Sequence, residues 1–315
     1  MRLEAYQHGI YPRSERLVAA TRDLDRGRTD QPTVDGVFRD DRDRFVAAQR
    51  EAGFDYLSDG MLRWQDMFRP FVDAAEGLTS GALTRWFDTN SFFRAPVVTG
   101  ALSIDGSAVS FDEVGGDAPR VVSLPSPYAF SRAAQFDGDR DALMLDLARD
   151  VLAPVASAAV SGGAAVVHLE DPWLAFYGIE DASWSALAKS IDALRSGVDA
   201  TVVFHTFFGD AAPHMEGLQG LPVDAVGIDL IASDTASIDV RGGIGVLLGC
   251  FDGRSSVVER ADELVPVMSR LLDRLDPNLC FLSSSGDLQL VSEETARRKV
   301  AALGEVAAAL KKEVS

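Results

Sequence analysis

The chain has 315 residues, of which 47% are hydrophobic and 25% charged, a composition typical of a folded globular protein. Its 48 acidic and 30 basic residues give a net charge of −18, which disfavours nucleic acids and anionic membranes as partners. No apolar run approaches about 18 residues, so the sequence predicts no transmembrane helix. We expect a small-molecule substrate.

The two cysteines, Cys250 and Cys280, are too few for a disulfide framework, and they fit a reducing compartment. The first six residues carry no apolar secretory segment. These two observations predict a cytoplasmic protein.

Short apolar or β-branched segments are spread over the whole length and are predicted to be strands. They comprise residues 3–7, 55–58, 121–124, 165–169, 201–205, 225–230, 244–250 and 279–283. Helical periodicity lies between them, most clearly at residues 34–52, 139–159, 184–195, 257–275 and 292–311. This alternation predicts an α/β fold, a single (β/α)₈ TIM-type barrel that comprises residues 1–315 as one domain.

One interval departs from the alternation. Residues 96–104 and 108–111 flank Asp105-Gly106-Ser107, a turn sequence typical of hairpins. We therefore expect a β-hairpin inserted after strand two of the barrel, followed by a polar loop.

Polar residues follow the predicted strands, and the active site of a parallel barrel lies at the carboxyl ends of its strands. These rim residues are Asp59, Tyr128, Glu170, Asp171, His205, Asp229, Asp252 and Ser285. We expect a largely polar pocket there, lined by Asp59, His205, Asp229 and Asp252.

Several of the rim segments resemble the barrels of cobalamin-independent methionine synthase. The matching segments are Tyr11-Pro12-Arg13-Ser14, Asp59-Gly60-Met61-Leu62-Arg63, Leu124-Pro125-Ser126-Pro127-Tyr128, Glu170-Asp171-Pro172, His205-Thr206-Phe207-Phe208-Gly209 and Asp252-Gly253-Arg254-Ser255. They occur in the family's order over nearly the whole chain. The resemblance implies transfer of a methyl group to a thiol such as homocysteine, which a zinc ion binds as thiolate.

The resemblance also implies where zinc ligands should stand. The family uses a His, a Cys two residues later, a Glu on the next strand and a Cys after the last strand. Here His205 fills the first position, Phe207 and Ser285 replace the two cysteines, and Asp229 is nearest to the glutamate. Because both thiolates are missing, we expect no bound metal or other cofactor in the isolated protein.

A zinc site is possible only if it has moved. Cys250 and Asp252 are two residues apart, so their side chains point the same way from their strand. Cys250, His205 and Asp229 would then be the candidate ligands of a relocated site.

Thr206-Phe207-Phe208-Gly209 is also similar to the zinc-less N-terminal-type barrel of these synthases, which some organisms encode as a separate subunit. The resemblance therefore implies a folate or other methyl donor as substrate and a zinc-bearing partner barrel. Two alternatives stay open: a zinc-independent alkyl-transfer or lyase enzyme, and a non-catalytic barrel that binds a small molecule.

Candidate catalytic residues are His205, Asp171 and Asp252, and candidate substrate-binding residues are Asp59, Arg63, Tyr128, Glu170, Asp229, Arg254 and Ser285. Each also has a structural interpretation: a core histidine, a helix-start salt bridge, a loop cap or an arginine that joins two loops. Glu170 and Asp171 are neighbours in a strand, so at most one faces the pocket. The family position favours Asp171.

Overall fold

Nine strands and eleven α-helices are present in the computed structural model, which describes residues 1–240 and 243–313. The strands are β1 (Arg2–Ala5), β2 (Glu76–Arg85), β3 (Phe92–Ser103), β4 (Arg120–Pro125), β5 (Ala164–Asp171), β6 (Thr201–Thr206), β7 (Ala225–Asp229), β8 (Gly245–Phe251) and β9 (Leu279–Ser284). The helices are α1 (Glu15–Asp25), α2 (Gln31–Glu51), α3 (Arg69–Ala74), α4 (Pro127–Ala133), α5 (Arg140–Leu147), α6 (Ala153–Ser161), α7 (Pro172–Tyr177), α8 (Ser183–Arg195), α9 (Met215–Gln219), α10 (Ala261–Leu275) and α11 (Glu293–Glu313).

Seven of the strands form one parallel sheet in the order β1-β9-β8-β7-β6-β5-β4. Residues 55–57 fill the gap between the two edge strands. The Asp55 amide donates to the Ala5 carbonyl at 2.9 Å, and Leu57 exchanges hydrogen bonds with the β4 side through Pro119 and Val121. The predicted second strand is therefore a short bridging segment, and the sheet curls into the expected TIM-type barrel.

Alternation along each strand divides the side chains between the barrel interior and the helix layer. One buried cluster, formed by Tyr6, Val121, Val166, Val203, Ala225, Leu247 and Phe281, fills the interior. The residues between them, such as Leu169, Phe204 and Leu248, pack against the helices. This alternation decides which rim residues can face the barrel axis.

The hairpin insertion is confirmed, but the sequence analysis placed its turn wrongly. β2 pairs with β3 in antiparallel register, and the turn lies at residues 86–91. Asp105 instead caps a short 3₁₀ turn, in which a side chain at Gly106 would meet the Pro154 carbonyl oxygen at 2.1 Å. β2 escaped prediction because it is a mostly exposed ribbon that lacks the alternating apolar pattern of a half-buried strand.

The predicted helices are present with shifted ends. The predicted helix 139–159 is divided into α5 and α6 by a π-helical turn at Ala148–Leu152. The predicted helix 257–275 begins only at Ala261. Among the helices that the structure describes, none is long and apolar enough to cross a membrane.

Candidate functional site

Three buried histidines lie together inside the barrel, one layer above the apolar interior cluster. His8 follows β1, His168 lies on β5 and His205 on β6, and none has any exposed surface. The rings of His8 and His168 stack with centroids 4.1 Å apart, and both make edge contacts with His205. His205 Nδ1 lies 3.3 Å from His168 Nε2. The alternation of the strands therefore aims three imidazoles at one point on the barrel axis.

Hydrogen bonds orient two of these rings from outside. The Tyr6 hydroxyl lies 2.9 Å from His168 Nδ1, and His8 Nδ1 lies 2.7 Å from Glu170 Oε1. Burial lowers the pKa of His168 and His205 well below the usual histidine value, so both are neutral near pH 7.

Glycines make room for the polar groups. A Cβ at Gly227 would lie 2.6 Å from three atoms of the His205 side chain. A Cβ at Gly9, whose φ is +70°, would lie 2.5 Å from Glu170 Oε1 and from the Asp287 Cβ. The histidine layer thus exists only because β7 and the β1 loop lack side chains at these two positions.

Several buried polar atoms of this layer have no hydrogen-bond partner among the described residues: His205 Nε2, Glu170 Oε2 and Asp287 Oδ1. Burial raises the pKa of Asp287 well above its usual range, and the nearby charge of Glu170 adds to this. An unpaired buried polar atom costs about 1–3 kcal/mol, so a ligand that offers these three atoms hydrogen bonds or a charge would stabilise this layer.

Phe207 covers the histidines. Its buried ring lies 5.3 Å from the ring of His205 and 6.4 Å from that of His8. A side chain at Gly286 would meet the Phe207 ring at 3.0 Å. The residue that replaces the first cysteine ligand of the family therefore separates the histidine layer from the rim.

The tip of the β2–β3 hairpin lies over the same rim. Trp86 contacts Trp173 with ring centroids 5.4 Å apart, and Phe87 contacts Phe208 at 5.5 Å. Phe87 and Phe208 both adopt positive φ, at 50° and 69°, which is rare for bulky side chains. The Asp229 carboxylate accepts the Phe208 amide at 3.0 Å and holds that strained residue.

The carboxylate of Asp229 is fully engaged with backbone. Besides Phe208, it accepts the amides of Ile231 and Ala232 at 2.9 and 3.1 Å. Burial raises its pKa to about 6 despite these bonds. The Ser285 hydroxyl, at the position where the resemblance implies the last cysteine ligand, accepts the Gly253 amide at 3.2 Å. Both side chains shape the rim loops.

Asp59 and Arg63 lie apart from the histidines. Asp59 accepts the amides of Met61 and Asp112 at 2.9 and 2.7 Å, and burial raises its pKa. Arg63 forms half-exposed ion pairs with Asp35 and Asp112 at 2.8 and 3.4 Å. These contacts fit the interpretation of Asp59 and Arg63 as structural residues rather than as substrate-binding ones.

The expectation that Asp171 rather than Glu170 faces the barrel is wrong. Val166, His168 and Glu170 share the inward face of β5, which turns Asp171 toward the helices. The Asp171 carboxylate caps α7 by accepting the Leu174 amide at 2.9 Å, and it also accepts the Ser126 hydroxyl. Its pKa is raised to about 7, mainly by burial.

Tyr128, Asp252 and Arg254 hold loops together. The Tyr128 hydroxyl donates to the Gly178 carbonyl at 2.7 Å. Asp252 accepts the Arg254 amide at 2.8 Å. The Arg254 guanidinium lies 5.0 Å from the centroid of the Phe208 ring and pairs with Asp88 of the hairpin tip at 3.2 Å.

The four side chains predicted to line an open pocket therefore do not do so. His205 is sealed beneath Phe207, and the Asp59 and Asp229 carboxylates turn to backbone amides. Asp252 is the one of the four that is only half buried. The physical reason is that aromatic side chains of the rim and of the hairpin tip fill the mouth of the barrel.

The relocated Cys-His-Asp site is also wrong. Leu247 belongs to the barrel interior, whereas Leu248 and Cys250 lie in the cluster between sheet and helices. Cys250 lines a cavity beside Met268 and Leu271 of α10. It lies on the other face of the sheet from His205.

The residues present do not fit the zinc site of the family. Phe207 offers no ligand atom, Ser285 offers only a hydroxyl, and both Asp229 oxygens accept backbone amides. Only His205 keeps an unpartnered nitrogen. A single imidazole cannot hold zinc tightly, so no step of a mechanism is derived through that set.

Sequence reasoning missed His8, Asp287 and the role of His168. Two signals were available. His168 and Glu170 are two residues apart in one strand, so they share a face, and His8 continues the alternation of β1 after Tyr6. Asp287 lies in a loop beyond β9, and no sequence pattern places it beside Glu170.

The chain matches the family described as "Cobalamin-independent synthase, Catalytic domain" over residues 7–309. It is 25% identical to the methionine synthase of Sulfolobus acidocaldarius, over 93% of this chain and 87% of that protein. It is 27% identical to the 5-methyltetrahydropteroyltriglutamate–homocysteine methyltransferase of Salinibacter ruber, over 67% of this chain but only 29% of that longer protein.

Solved structures show the same fold. The putative vitamin B12-independent methionine synthase of Listeria monocytogenes superposes with a TM-score of 0.73 at 16% identity, over 98% of this chain and 99% of that chain. The B12-independent methionine synthase of Shewanella sp. W3-18-1, in complex with selenomethionine, superposes with a TM-score of 0.71 at 17% identity, over 91% of both chains. The match is to the catalytic domain, and the expected likeness to the zinc-less N-terminal-type barrel stays a prediction. The chain belongs to the cobalamin-independent synthase catalytic-domain family.

Proposed function

We propose that this chain takes part in methyl transfer to a thiol such as homocysteine by binding the methyl donor, while a zinc-bearing partner barrel activates the thiol. The observation that carries the proposal is the pairing of family membership over residues 7–309 with Phe207 and Ser285 in the two thiolate positions. The relative from Salinibacter ruber is much longer than this chain, which covers 29% of it, and this supports a function completed by additional chain.

The thiol needs help that this chain does not offer. A thiol has an ordinary pKa near 8.5, so at pH 7 only a few per cent is the reactive thiolate. The two cysteines of the chain are buried, and burial raises the pKa of Cys250 to about 12. Neither thiol supplies a metal ligand at the rim.

A groove beside the hairpin, outside the sealed mouth, suits the donor. Two adjoining cavities share Arg132, Trp173 and Tyr177, and the hairpin side adds Arg85 and Phe87. We call these five residues the hairpin groove. It combines aromatic faces with two cations on a molecule of net charge −18.

This combination matches the chemistry of a reduced folate with a glutamate tail. A flat heterocycle stacks on aromatic side chains, and carboxylates pair with arginine. Arg132 lies 4.9 Å from the ring centroid of Tyr128, so Tyr128 supports the groove from below. One carboxylate, Glu180, also lines the groove and can accept from the amino group of a pterin.

Titration of the purified chain with 5-methyltetrahydropteroyltriglutamate tests the donor site. Arg132→Ala removes a cation that pairs with the tail, so we expect affinity to fall by about 10- to 100-fold. Arg149→Ala is the matched control, because Arg149 pairs with Asp146 and Asp150 on an exposed helix surface. Wild-type protein that fails to bind the donor, or equal losses in both variants, would contradict the proposal.

The proposal includes a cytoplasmic location. It is supported by the two free, buried cysteines.

A further inference from the structure

We propose that His8, His168 and His205 bind one divalent transition-metal ion of the zinc class inside the barrel, beneath the rim. This set shares only His205 with the zinc site of the family. It uses no cysteine and lies below Phe207 rather than at the strand ends. The inference does not depend on the proposed function.

Distances between the candidate ligand atoms support the site. One nitrogen from each ring lies within 4.8 Å of the other two. His205 Nδ1 and His168 Nε2 are already 3.3 Å apart. Zinc–nitrogen bonds of about 2.0–2.1 Å place two ligands of a tetrahedral ion about 3.3 Å apart, so this pair has the required spacing. The third ring, His8, offers a nitrogen within 4.8 Å of a nitrogen of each of the other two, so loading the site needs His8 to move closer by rotation of its side chain.

The outer hydrogen bonds have the pattern that metal-binding histidines show. In such sites the second ring nitrogen donates to a carboxylate or another polar group, which fixes the tautomer and aims the first nitrogen at the metal. Glu170 Oε1 engages His8 Nδ1, and the Tyr6 hydroxyl engages His168 Nδ1. The contact at His168 Nδ1 leaves His168 Nε2 facing His205, whereas His8 Nε2 also lies 3.3 Å from the Ser284 carbonyl oxygen and must turn from that carbonyl to bind an ion.

Two buried carboxyl groups lie beside the imidazoles. Glu170 Oε2 and Asp287 Oδ1 are buried without partners, and no Lys or Arg is hydrogen-bonded or ion-paired to either side chain within the described part of the chain. A divalent ion on the neighbouring imidazoles would stabilise the ionised form of these carboxyl groups. Imidazole ligands favour Zn²⁺, Co²⁺, Ni²⁺ or Cu²⁺ over Mg²⁺ and Ca²⁺.

Phe207 closes the site toward the rim, so the remaining coordination position suits a small ligand such as water. A thiol substrate does not reach it in this arrangement. The ion therefore joins the ends of β1, β5 and β6, and its expected effect is on stability.

Metal analysis after Zn²⁺ loading and dialysis tests the site. We expect about one zinc per chain, and an affinity lowered on the order of 100-fold or more in His168→Gln and His8→Gln. Glu170→Gln should lower it about 10- to 100-fold, as losses of outer partners do. His214→Gln is the matched control, because it changes the fourth histidine, which lies outside the cluster. Cys250→Ser is a second control, and it should retain zinc because the proposed site uses no thiolate.

Wild-type protein without retained zinc overturns the inference, as does zinc lost on Cys250→Ser but kept in His168→Gln. X-ray absorption of the loaded wild-type protein gives an answer even where a variant fails to fold. We expect nitrogen and oxygen neighbours at about 2.0–2.1 Å, and a sulfur neighbour near 2.3 Å would exclude the three-histidine site.

Discussion

At the scale of single residues, the face of a strand decides whether a polar side chain is part of the barrel interior or of the loops. Glu170 and Asp171 are adjacent, yet one lies beside His8 inside the barrel and the other caps α7. Both are buried carboxyl groups. Only the inward one is positioned to act on an occupant of the barrel axis.

Asp171→Asn tests the buried cap through pH. The pKa of Asp171 is about 7 in the folded chain and about 3.9 when unfolded, so the folded state binds the extra proton between these values. The contribution of the Asp171 carboxyl group to the stability of the folded state is fully present below about pH 4 and is lost as pH rises to about 7. A difference of about three pKa units sets an upper bound of about 4 kcal/mol on this contribution to the free energy of unfolding.

We therefore expect the free energy of unfolding of Asp171→Asn, measured in urea, to rise relative to that of wild type between about pH 4 and 7. Asp30→Asn is a matched control, because Asp30 caps the exposed start of α2 and its pKa is lowered. A difference for Asp171→Asn that stays constant with pH would rule out a titrating buried carboxyl.

At the scale of elements, the β2–β3 hairpin acts as a cover for the barrel mouth. Aromatic packing holds it, since Trp86 is buried against Trp173, Phe68 and Phe93. The Asp88–Arg254 ion pair at the tip is partly exposed and contributes at most about 1 kcal/mol.

Trp86→Ala should release the cover, because truncating a buried tryptophan removes about 3–5 kcal/mol of packing. Hydrogen exchange of the amides in residues 76–103 should then become faster while β5 and β6 stay protected. Asp88→Asn is the control and should leave exchange nearly unchanged. Equal effects of the two substitutions would mean that the ion pair, not the aromatic cluster, secures the hairpin.

The sequence predicted the barrel well because most of its strands are short, largely apolar runs separated by helical patterns, as at 165–169 and 201–205. It failed at β2, where Gly77 and Gly81 interrupt an exposed ribbon. It identified His205 but not the cluster around it. His8 and Asp287 come from loops at opposite ends of the chain, and only barrel closure brings them to the same layer.

At the scale of the whole molecule, the chain is a member of its family, and both of its cysteines are buried away from the rim. The mouth is covered, and the hairpin groove lies beside it. These features favour a barrel that binds the donor and leaves thiol activation to a second barrel.

Transfer of a labelled methyl group from 5-methyltetrahydropteroyltriglutamate to homocysteine measures this directly. The zinc-loaded chain alone should form no methionine above the uncatalysed background, because neither the buried histidines nor the cysteines reach the thiol. A zinc-bearing family barrel from the same genome, assayed at a concentration where it is slow alone, should turn over faster when this chain is added. Arg132→Ala should remove that gain and Arg149→Ala should keep it. Steady methionine formation by this chain alone would contradict the account.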